Sequence, residues 1–113
     1  GASSGLGYEL ALQYSKPHIR LILVGRNVDQ LNKIANLCSL RGAETYLLAL
    51  DIREKKALNE HLTNFSTQYG IDVVIACAGV SAGTLQGRES PPQVETIVET
   101  NINGVLNTIM PII

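Results

Sequence analysis

Apolar residues along the chain alternate between helical spacing and short continuous runs, and each change marks a boundary between a helix and a strand. From Leu6 the apolar positions follow helical spacing until Pro17, which predicts a first helix ending near Ser15. Residues 21–24 form a continuous apolar run closed by Gly25, a pattern typical of a parallel strand that is covered on both faces.

A second helix has a recognisable beginning and end. Asn27 and Gln30 form a capping pair, and Gly42 provides a C-terminal stop. The face predicted to be buried consists of Val28, Leu31, Ile34, Ala35 and Cys38.

The same alternation continues after this helix. Residues 45–50 are a candidate strand, and an amphipathic helix ending at Gly70 follows them. The apolar positions of that helix are Leu58, Leu62, Phe65 and Tyr69. Residues 72–76 then predict a short buried strand, and residues 79–90 predict a polar loop.

The last predicted helix begins after Ser90, an N-cap candidate that is followed by two prolines and by Gln93 as its capping partner. Its predicted buried stripe comprises Val94, Ile97, Val98 and Val105.

Helices and strands thus alternate with short connections, as right-handed crossovers in a parallel sheet require. We predict an α/β fold, a Rossmann-type doubly wound parallel sheet with helices on both faces. Gly1 lies inside a glycine-rich loop that needs a preceding strand, and the apolar run 105–113 has no stop signal. The expectation is a single partial domain over residues 1–113, truncated at both ends, without its first strand and C-terminal half.

Composition narrows the classes of function. The chain has 113 residues, 45% of them hydrophobic, and its 9 basic and 10 acidic residues include no basic run. We therefore expect a small-molecule partner and neither nucleic acid nor a membrane.

Cys38 and Cys77 are too few and too far apart to suggest a metal site or a disulfide scaffold, so we interpret them as reduced core residues. No apolar run approaches the roughly 18 to 20 residues of a membrane span, and we expect a cytoplasmic location.

The glycine-rich loop reads Gly1-Ala2-Ser3-Ser4-Gly5-Leu6-Gly7 and precedes the first helix. Such a loop lets backbone N–H groups and the positive helix end approach a pyrophosphate. Structural turns and Rossmann-type methyltransferases also contain glycine-rich loops, so the loop alone leaves the function open. Its Gly-x-x-x-Gly-x-Gly spacing, however, resembles that of the short-chain dehydrogenase/reductase family.

Four later segments resemble the same family in order and spacing. They are Leu-Val-Gly-Arg-Asn at 23–27, Leu-Asp-Ile at 50–52, Ala-Cys-Ala-Gly at 76–79 and Asn-Ile-Asn-Gly at 101–104. Together with the loop they match the first half of a typical family member. The resemblance implies a dinucleotide-binding domain in an oxidoreductase that transfers hydride between a nicotinamide cofactor and a carbonyl or alcohol substrate.

The resemblance also implies which residues bind the cofactor. Ser3 and Ser4 would face the adenosine ribose and its substituent, and the backbone N–H of Leu6 would face the phosphates. Asp51 would accept a hydrogen bond from the adenine amino group, with a helix N-cap as the alternative role. The complete implied set is Gly1, Ser3, Ser4, Gly5, Leu6, Gly7, Arg26, Asn27, Asp51, Ile52, Cys77, Ala78 and Gly79.

Cys77 departs from the family, which usually has Asn-Ala-Gly where this chain has Cys-Ala-Gly. A weakly hydrogen-bonding thiol replaces an amide there, so we expect looser local structure rather than lost cofactor binding. A reactive thiol is the alternative, although no cationic residue lies nearby in the sequence.

Asn101 lies on the predicted apolar stripe, where an unpaired amide would cost about 1 to 3 kcal/mol. A hydrogen-bonding role or a helix kink is therefore expected. The resemblance implies that Asn101 is the catalytic Asn of a Ser-Tyr-Lys-Asn tetrad, where it holds a water in the proton relay. No Tyr in the chain has Lys four residues later, so we expect the other tetrad members downstream and this chain alone to be inactive.

Gly25, Arg26 and Asn27 bear on the choice of cofactor. Enzymes of this fold that prefer NAD usually place a carboxylate at the end of the strand that Gly25 closes in this chain, where it bonds the ribose hydroxyls. Gly25 removes that carboxylate, and Arg26 can pair with a 2′-phosphate, with Ser4 and Asn27 as further donors. We predict a preference for NADP(H), with NAD(H) as the alternative cofactor and a solvated surface Arg as the plain interpretation of Arg26.

Two other functions share these motifs. A non-catalytic nucleotide-sensing protein of the same fold would contain all of them, whereas a methyltransferase would normally carry an acidic residue at the position of Arg26. The family resemblance further implies that the full-length protein is a homo-oligomer, with the helix near Pro91 at a subunit interface.

Overall fold

The structure, a computed structural model, describes residues 1–79 and 90–113. Most of the predicted polar loop 79–90 lies outside the described residues. The elements are α1 (Gly5–Tyr14), β1 (Arg20–Gly25), α2 (Val28–Leu40), β2 (Glu44–Ala49), α3 (Lys55–Tyr69), α4 (Pro91–Val98), a π-helical turn (Glu99–Asn103), α5 (Gly104–Ile109) and a 3-10 turn (Met110–Ile112). They divide into two compact units, Gly1–Asp51 and Ile52–Ile113.

The first unit is a β-α-β crossover preceded by a helix. Strands β1 and β2 pair in parallel, in register from Arg20 opposite Glu44 to Gly25 opposite Ala49. Helix α2 joins the two strands, because parallel neighbours need a crossover connection. This arrangement confirms the predicted α/β fold with a parallel sheet, and each strand begins one residue before the predicted position.

The core of the first unit lies where α1 and α2 pack on the sheet. Its buried residues are Ala11, Leu23, Leu31, Ile34, Ala35, Cys38 and Ala43. Four of the five residues predicted for the buried face of α2 belong to this cluster. Val28 does not, and its side chain is 54% exposed because it lies in the first turn, before the cluster begins at Leu31.

The ends of α2 are fixed as the sequence predicts. The side chain of Asn27 accepts a hydrogen bond from the backbone N–H of Gln30 at 3.0 Å. Gly42 adopts φ 98°, and a Cβ there would lie 2.9 Å from Cγ of Pro17. Both the left-handed backbone and the close approach of Pro17 therefore require glycine at this stop.

The second unit packs α3 against α5 and the 3-10 turn, with Leu58 and Leu62 buried on α3. The predicted start of α4 is confirmed as a complete capping box. The hydroxyl of Ser90 accepts from the backbone N–H of Gln93 at 3.4 Å, and the Gln93 side chain accepts from the backbone N–H of Ser90 at 2.7 Å.

The strand predicted at 72–76 is wrong. Residues 71–79 have no regular secondary structure, and the side chains of Val73, Val74 and Ile75 are exposed. A strand exists only when it hydrogen-bonds to a neighbour, and within the described part of the chain only β1 and β2 form a ladder. The apolar run therefore lacks the pairing that would make it a strand.

The buried stripe predicted for the last helix is also wrong in part. Val94 and Val98 are exposed, whereas Ile97 and Val105 are half-buried. The π-helical turn between α4 and α5 adds one residue to a helical turn, which rotates the following residues by about 100° around the axis. Val105 therefore does not continue the face of α4. Val94 and Val98 both precede the turn, and they are exposed because no strand and no other α-helix of the described residues packs broadly against α4.

Candidate cofactor-binding site

Two glycines of the N-terminal loop are required by its geometry. Gly5 has φ 56°, in the left-handed region that favours glycine. At Gly7 a Cβ would overlap the carbonyl group of Gly1, so the loop folds back closely over the first turn of α1. A side chain at either position would change the shape of the loop.

The loop is attached to the carboxyl end of β1. The backbone N–H of Ala2 donates to the carbonyl of Val24 at 3.2 Å. The hydroxyl oxygen of Ser3 lies 3.2 Å from the position that a Cβ would take at Gly25. Gly25 therefore leaves room for the loop, besides removing a side chain from the end of the strand.

The N-terminus of α1 presents polar groups beside this loop. Ser4 is exposed at the N-cap position, and its side chain makes no capping hydrogen bond in the structure. Leu6 is 69% exposed although it belongs to the apolar helical pattern that predicted α1. The side chain of Leu6 thus adds little to the core, whereas its backbone N–H is one of the first N–H groups of the helix, which have no intrahelical partner.

The two strands end at the same edge of the sheet. Gly25 pairs with Ala49, and the backbone N–H of Leu50 donates to the carbonyl of Gly25 at 3.0 Å. The glycine-rich loop contacts the end of β1 at this edge, Arg26 and Asn27 follow β1, and Asp51 follows β2. The structure thus brings together the predicted residues of the first unit where open α/β sheets bind their ligands.

The charges at this edge include an exposed cation. Arg26 is exposed and makes no ion pair with any residue that the structure describes. The carbonyl oxygen of the Asn27 side chain caps α2, which directs the donor capacity of the same amide elsewhere. An anionic group such as a ribose phosphate could bind these donors without repulsion from a carboxylate, since position 25 is a glycine.

An ion pair marks the opposite edge of the sheet. Nε of Arg20 lies 2.8 Å from Oε2 of Glu44, and the hydroxyl of Tyr46 donates to Oε1 of Glu44 at 2.6 Å. The Tyr46 hydrogen bond and then the Arg20 hydrogen bond hold the pKa of Glu44 below its ordinary value. This cluster joins the amino ends of β1 and β2, away from the predicted cofactor residues.

Within the second unit the structure brings Asn101 close to Gly79. Oδ1 of Asn101 lies 3.2 Å from the position of a Cβ at Gly79, so a larger residue there would press on the amide. Asn101 is part of the π-helical turn, and its side chain is exposed. The expectation of a buried Asn101 is therefore wrong, while the expected irregularity of the helix at this position is present.

Cys77 and Ala78, which precede Gly79, are half-buried. Cys77 is a free thiol, as is the buried Cys38.

Within residues 1–79 and 90–113, no group of three His, Cys, Asp or Glu side chains could hold a metal ion. None of the helices in these ranges is both long enough and apolar enough to cross a membrane.

Ile52 takes up a position that the sequence did not predict. Its side chain is buried against Gly104, where a Cβ would lie 2.5 Å from Cδ1 of Ile52. Nδ2 of Asn107 donates to the carbonyl oxygen of Ile52 at 3.0 Å. Any contact of Ile52 with a nucleotide would therefore come from its backbone. Asn107 was missed because its only sequence signal is a polar residue beside Thr108 in a short helix, three positions after Gly104.

Sequence comparison decides the family. The profile described as short chain dehydrogenase matches residues 1–113. The chain belongs to the short chain dehydrogenase family. It is 31% identical over 114 residues to an uncharacterized oxidoreductase of Myxococcus xanthus, with 100% of this chain and 45% of that relative covered. The chain thus spans less than half of that relative's length.

Solved short chain dehydrogenase structures share the fold. An alcohol dehydrogenase from the archaeon Thermococcus sibiricus, complexed with 5-hydroxy-NADP, has 30% identity and a TM-score of 0.86, covering 99% of this chain and 48% of its own. A short chain dehydrogenase from Mycobacterium paratuberculosis bound to NAD has 22% identity and a TM-score of 0.86, covering 98% and 46%. The predicted family, a family of dehydrogenases and reductases, is confirmed, and neither the nucleotide sensor nor the methyltransferase is favoured.

Proposed function

We propose that residues 1–113 are part of the dinucleotide-binding domain of a cytoplasmic short chain oxidoreductase. The enzyme transfers hydride between a nicotinamide cofactor and a small carbonyl or alcohol substrate, and it uses NADP(H) in preference to NAD(H). The observation that carries this proposal is the glycine loop at the carboxyl edge of the sheet, beside an exposed Arg26 and without a carboxylate at Gly25.

The residues of the first unit fit a dinucleotide. The close fold of the loop over Gly7 places it at the first N–H groups of α1, which suit a pyrophosphate. Arg26 offers a planar pair of donors for a 2′-phosphate, and Ser4 and Asn27 add neutral donors. Asp51 would accept a hydrogen bond from the adenine amino group. A bound nicotinamide would supply the hydride chemistry itself.

The residues of the second unit would serve the reaction as well as the cofactor. Asn101 has an amide that can donate and accept at once, as a residue that holds a water between two other groups must. Its exposed position in the π-helical turn suits this role, since π turns are frequent at functional sites. Cys77, Ala78 and Gly79 would line the cofactor through their backbone, with Gly79 leaving room for the Asn101 amide.

Two measurements on the full-length protein test the proposal: nucleotide binding tests the cofactor, and turnover tests the reaction. Fluorescence titration should show NADPH binding about tenfold to a hundredfold more tightly than NADH, the preference that one charge-assisted pair of about 1.5 to 3 kcal/mol confers. Aldehydes and ketones should then be reduced at the expense of NADPH. A protein that binds neither nucleotide would overturn the proposal, and equal affinities would overturn its cofactor preference.

The proposal includes a homo-oligomeric enzyme with α4 at the subunit interface. Large apolar side chains between α4 and the 3-10 turn are exposed, namely Val94, Val98, Ile102, Leu106 and Met110. Exposed apolar surface of this kind commonly marks an interface. Sedimentation of the full-length protein should reveal an oligomer, and a monomer at high concentration would contradict this part of the proposal.

A further inference from the structure

Helix α5 holds Ile52 at two points. Nδ2 of Asn107 donates to the Ile52 carbonyl at 3.0 Å, and the Ile52 side chain packs where Gly104 has no Cβ. Ile52 is 8% exposed and Asn107 is half-buried, so water competes little for this hydrogen bond.

The two contacts come from one face of the helix. Residues three positions apart lie on neighbouring turns, so Gly104 and Asn107 face Ile52 together. Gly104 fixes where the Ile52 side chain lies, because a Cβ at that position would be 2.5 Å from Cδ1 and 2.7 Å from Cγ1 of Ile52. Asn107 fixes the peptide that follows the Ile52 Cα. The backbone of Ile52 is thereby set in both position and orientation.

Resting on the proposed function, we propose that Asn107 and Gly104 are positioning residues for the adenine end of the cofactor. Ile52 directly follows Asp51, which is proposed to accept a hydrogen bond from the adenine amino group. The side chain of Ile52 faces α5, so its contribution to the adenine site comes from the backbone that Asn107 and Gly104 hold. Asn107 touches neither cofactor nor substrate in this scheme. It acts on the adenine end through Ile52, and it makes no contact with the nicotinamide end of the cofactor.

The test compares two cofactors in the full-length enzyme. NADPH carries the adenine, whereas reduced nicotinamide mononucleotide has the same reacting ring and no adenosine. Asn107→Leu should lower kcat/KM for NADPH about fivefold more than kcat/KM for the mononucleotide. Thr108→Val is the matched control, because Thr108 hydrogen-bonds to the Gly104 carbonyl within the helix at 2.8 Å. This control should leave the ratio of the two values unchanged.

Each outcome decides the matter. If Asn107→Leu lowers both values equally, or neither, the inference is overturned while turnover by the wild-type enzyme upholds the proposed function. If the wild-type enzyme binds no nicotinamide nucleotide, the proposed function fails and the inference fails with it. Should the leucine variant not fold, Asn107→Ala adds no volume and is measured in the same way, with the same ratio expected.

Discussion

Residues 1–51 enclose a cluster of seven buried apolar residues, whereas residues 52–113 carry many of their large apolar side chains at the surface. In the first unit, two paired strands and two helices supply neighbours for one another within a short stretch of sequence. In the second, Ile52, Leu58 and Leu62 are the buried hydrophobic residues among those described. The contrast teaches that an apolar run predicts a buried element only when its packing partner is also present.

The largest expected difference between the units comes from one substitution made in each. Leu31 is fully buried and Val73 is 61% exposed. Leu31→Ala should lower the free energy of unfolding by about 2 to 5 kcal/mol, through lost burial and a residual cavity. Val73→Ala should change it by less than about 0.5 kcal/mol, as exposed substitutions do. Urea denaturation of the full-length protein measures both, and equal losses would remove the contrast.

Alanine substitutions at one glycine in each unit should differ by a smaller amount, in their effect on nucleotide binding. Gly7→Ala forces the loop away from the Gly1 carbonyl and should weaken NADPH binding by at least about tenfold. Gly70→Ala is the control, since no neighbouring atom lies within 4 Å of a Cβ there and only its φ of 75° is strained. It should cost about 1 kcal/mol of stability without changing affinity for the nucleotide. Unchanged binding by Gly7→Ala would show that the loop does not contact the cofactor.

The smallest expected effect concerns the acid stability of the sheet in the first unit. The pKa of Glu44 is lowered by Tyr46 and then by Arg20, so the folded state favours the carboxylate. Its stabilisation is present above the unfolded pKa and is lost as the pH falls through the folded value. The difference in Tm between wild type and Glu44→Gln should therefore shrink as the pH falls from above the ordinary pKa of a glutamate carboxyl to below it. Because Glu44 is exposed, the effect is small, and a difference independent of pH would contradict it.

Local signals in the sequence predicted the fold well. The Asn27 and Ser90 caps and the Gly42 stop are where short-range hydrogen bonds and backbone sterics place them. Parallel pairing of β1 and β2 followed from the helix between them. These features depend on residues close together in the chain, so one sequence suffices to predict them.

Non-local features were predicted less well. Residues 72–76 are as apolar as a buried strand, yet strand formation depends on a distant partner that the run itself does not specify. The exposure of Asn101 goes with a π-helical turn, and the sequence predicted only an irregularity of the helix at this residue, not its π-helical form. The Asn107 contact joins residues 55 positions apart in the chain, and no spacing rule predicts such a pair. The glycine loop and Arg26 were found because their chemistry is carried by consecutive residues.

The most direct test of the central claim, that this edge of the sheet holds a 2′-phosphorylated nucleotide, is titration of Arg26→Ala in the full-length protein at fixed ionic strength. Lys33→Ala removes the same charge from an exposed position on α2 and is the matched control. Arg26→Ala should weaken NADPH binding at least about tenfold and leave NADH binding nearly unchanged, whereas Lys33→Ala should alter neither. Equal weakening of NADPH and NADH by Arg26→Ala would show that Arg26 does not bind the 2′-phosphate.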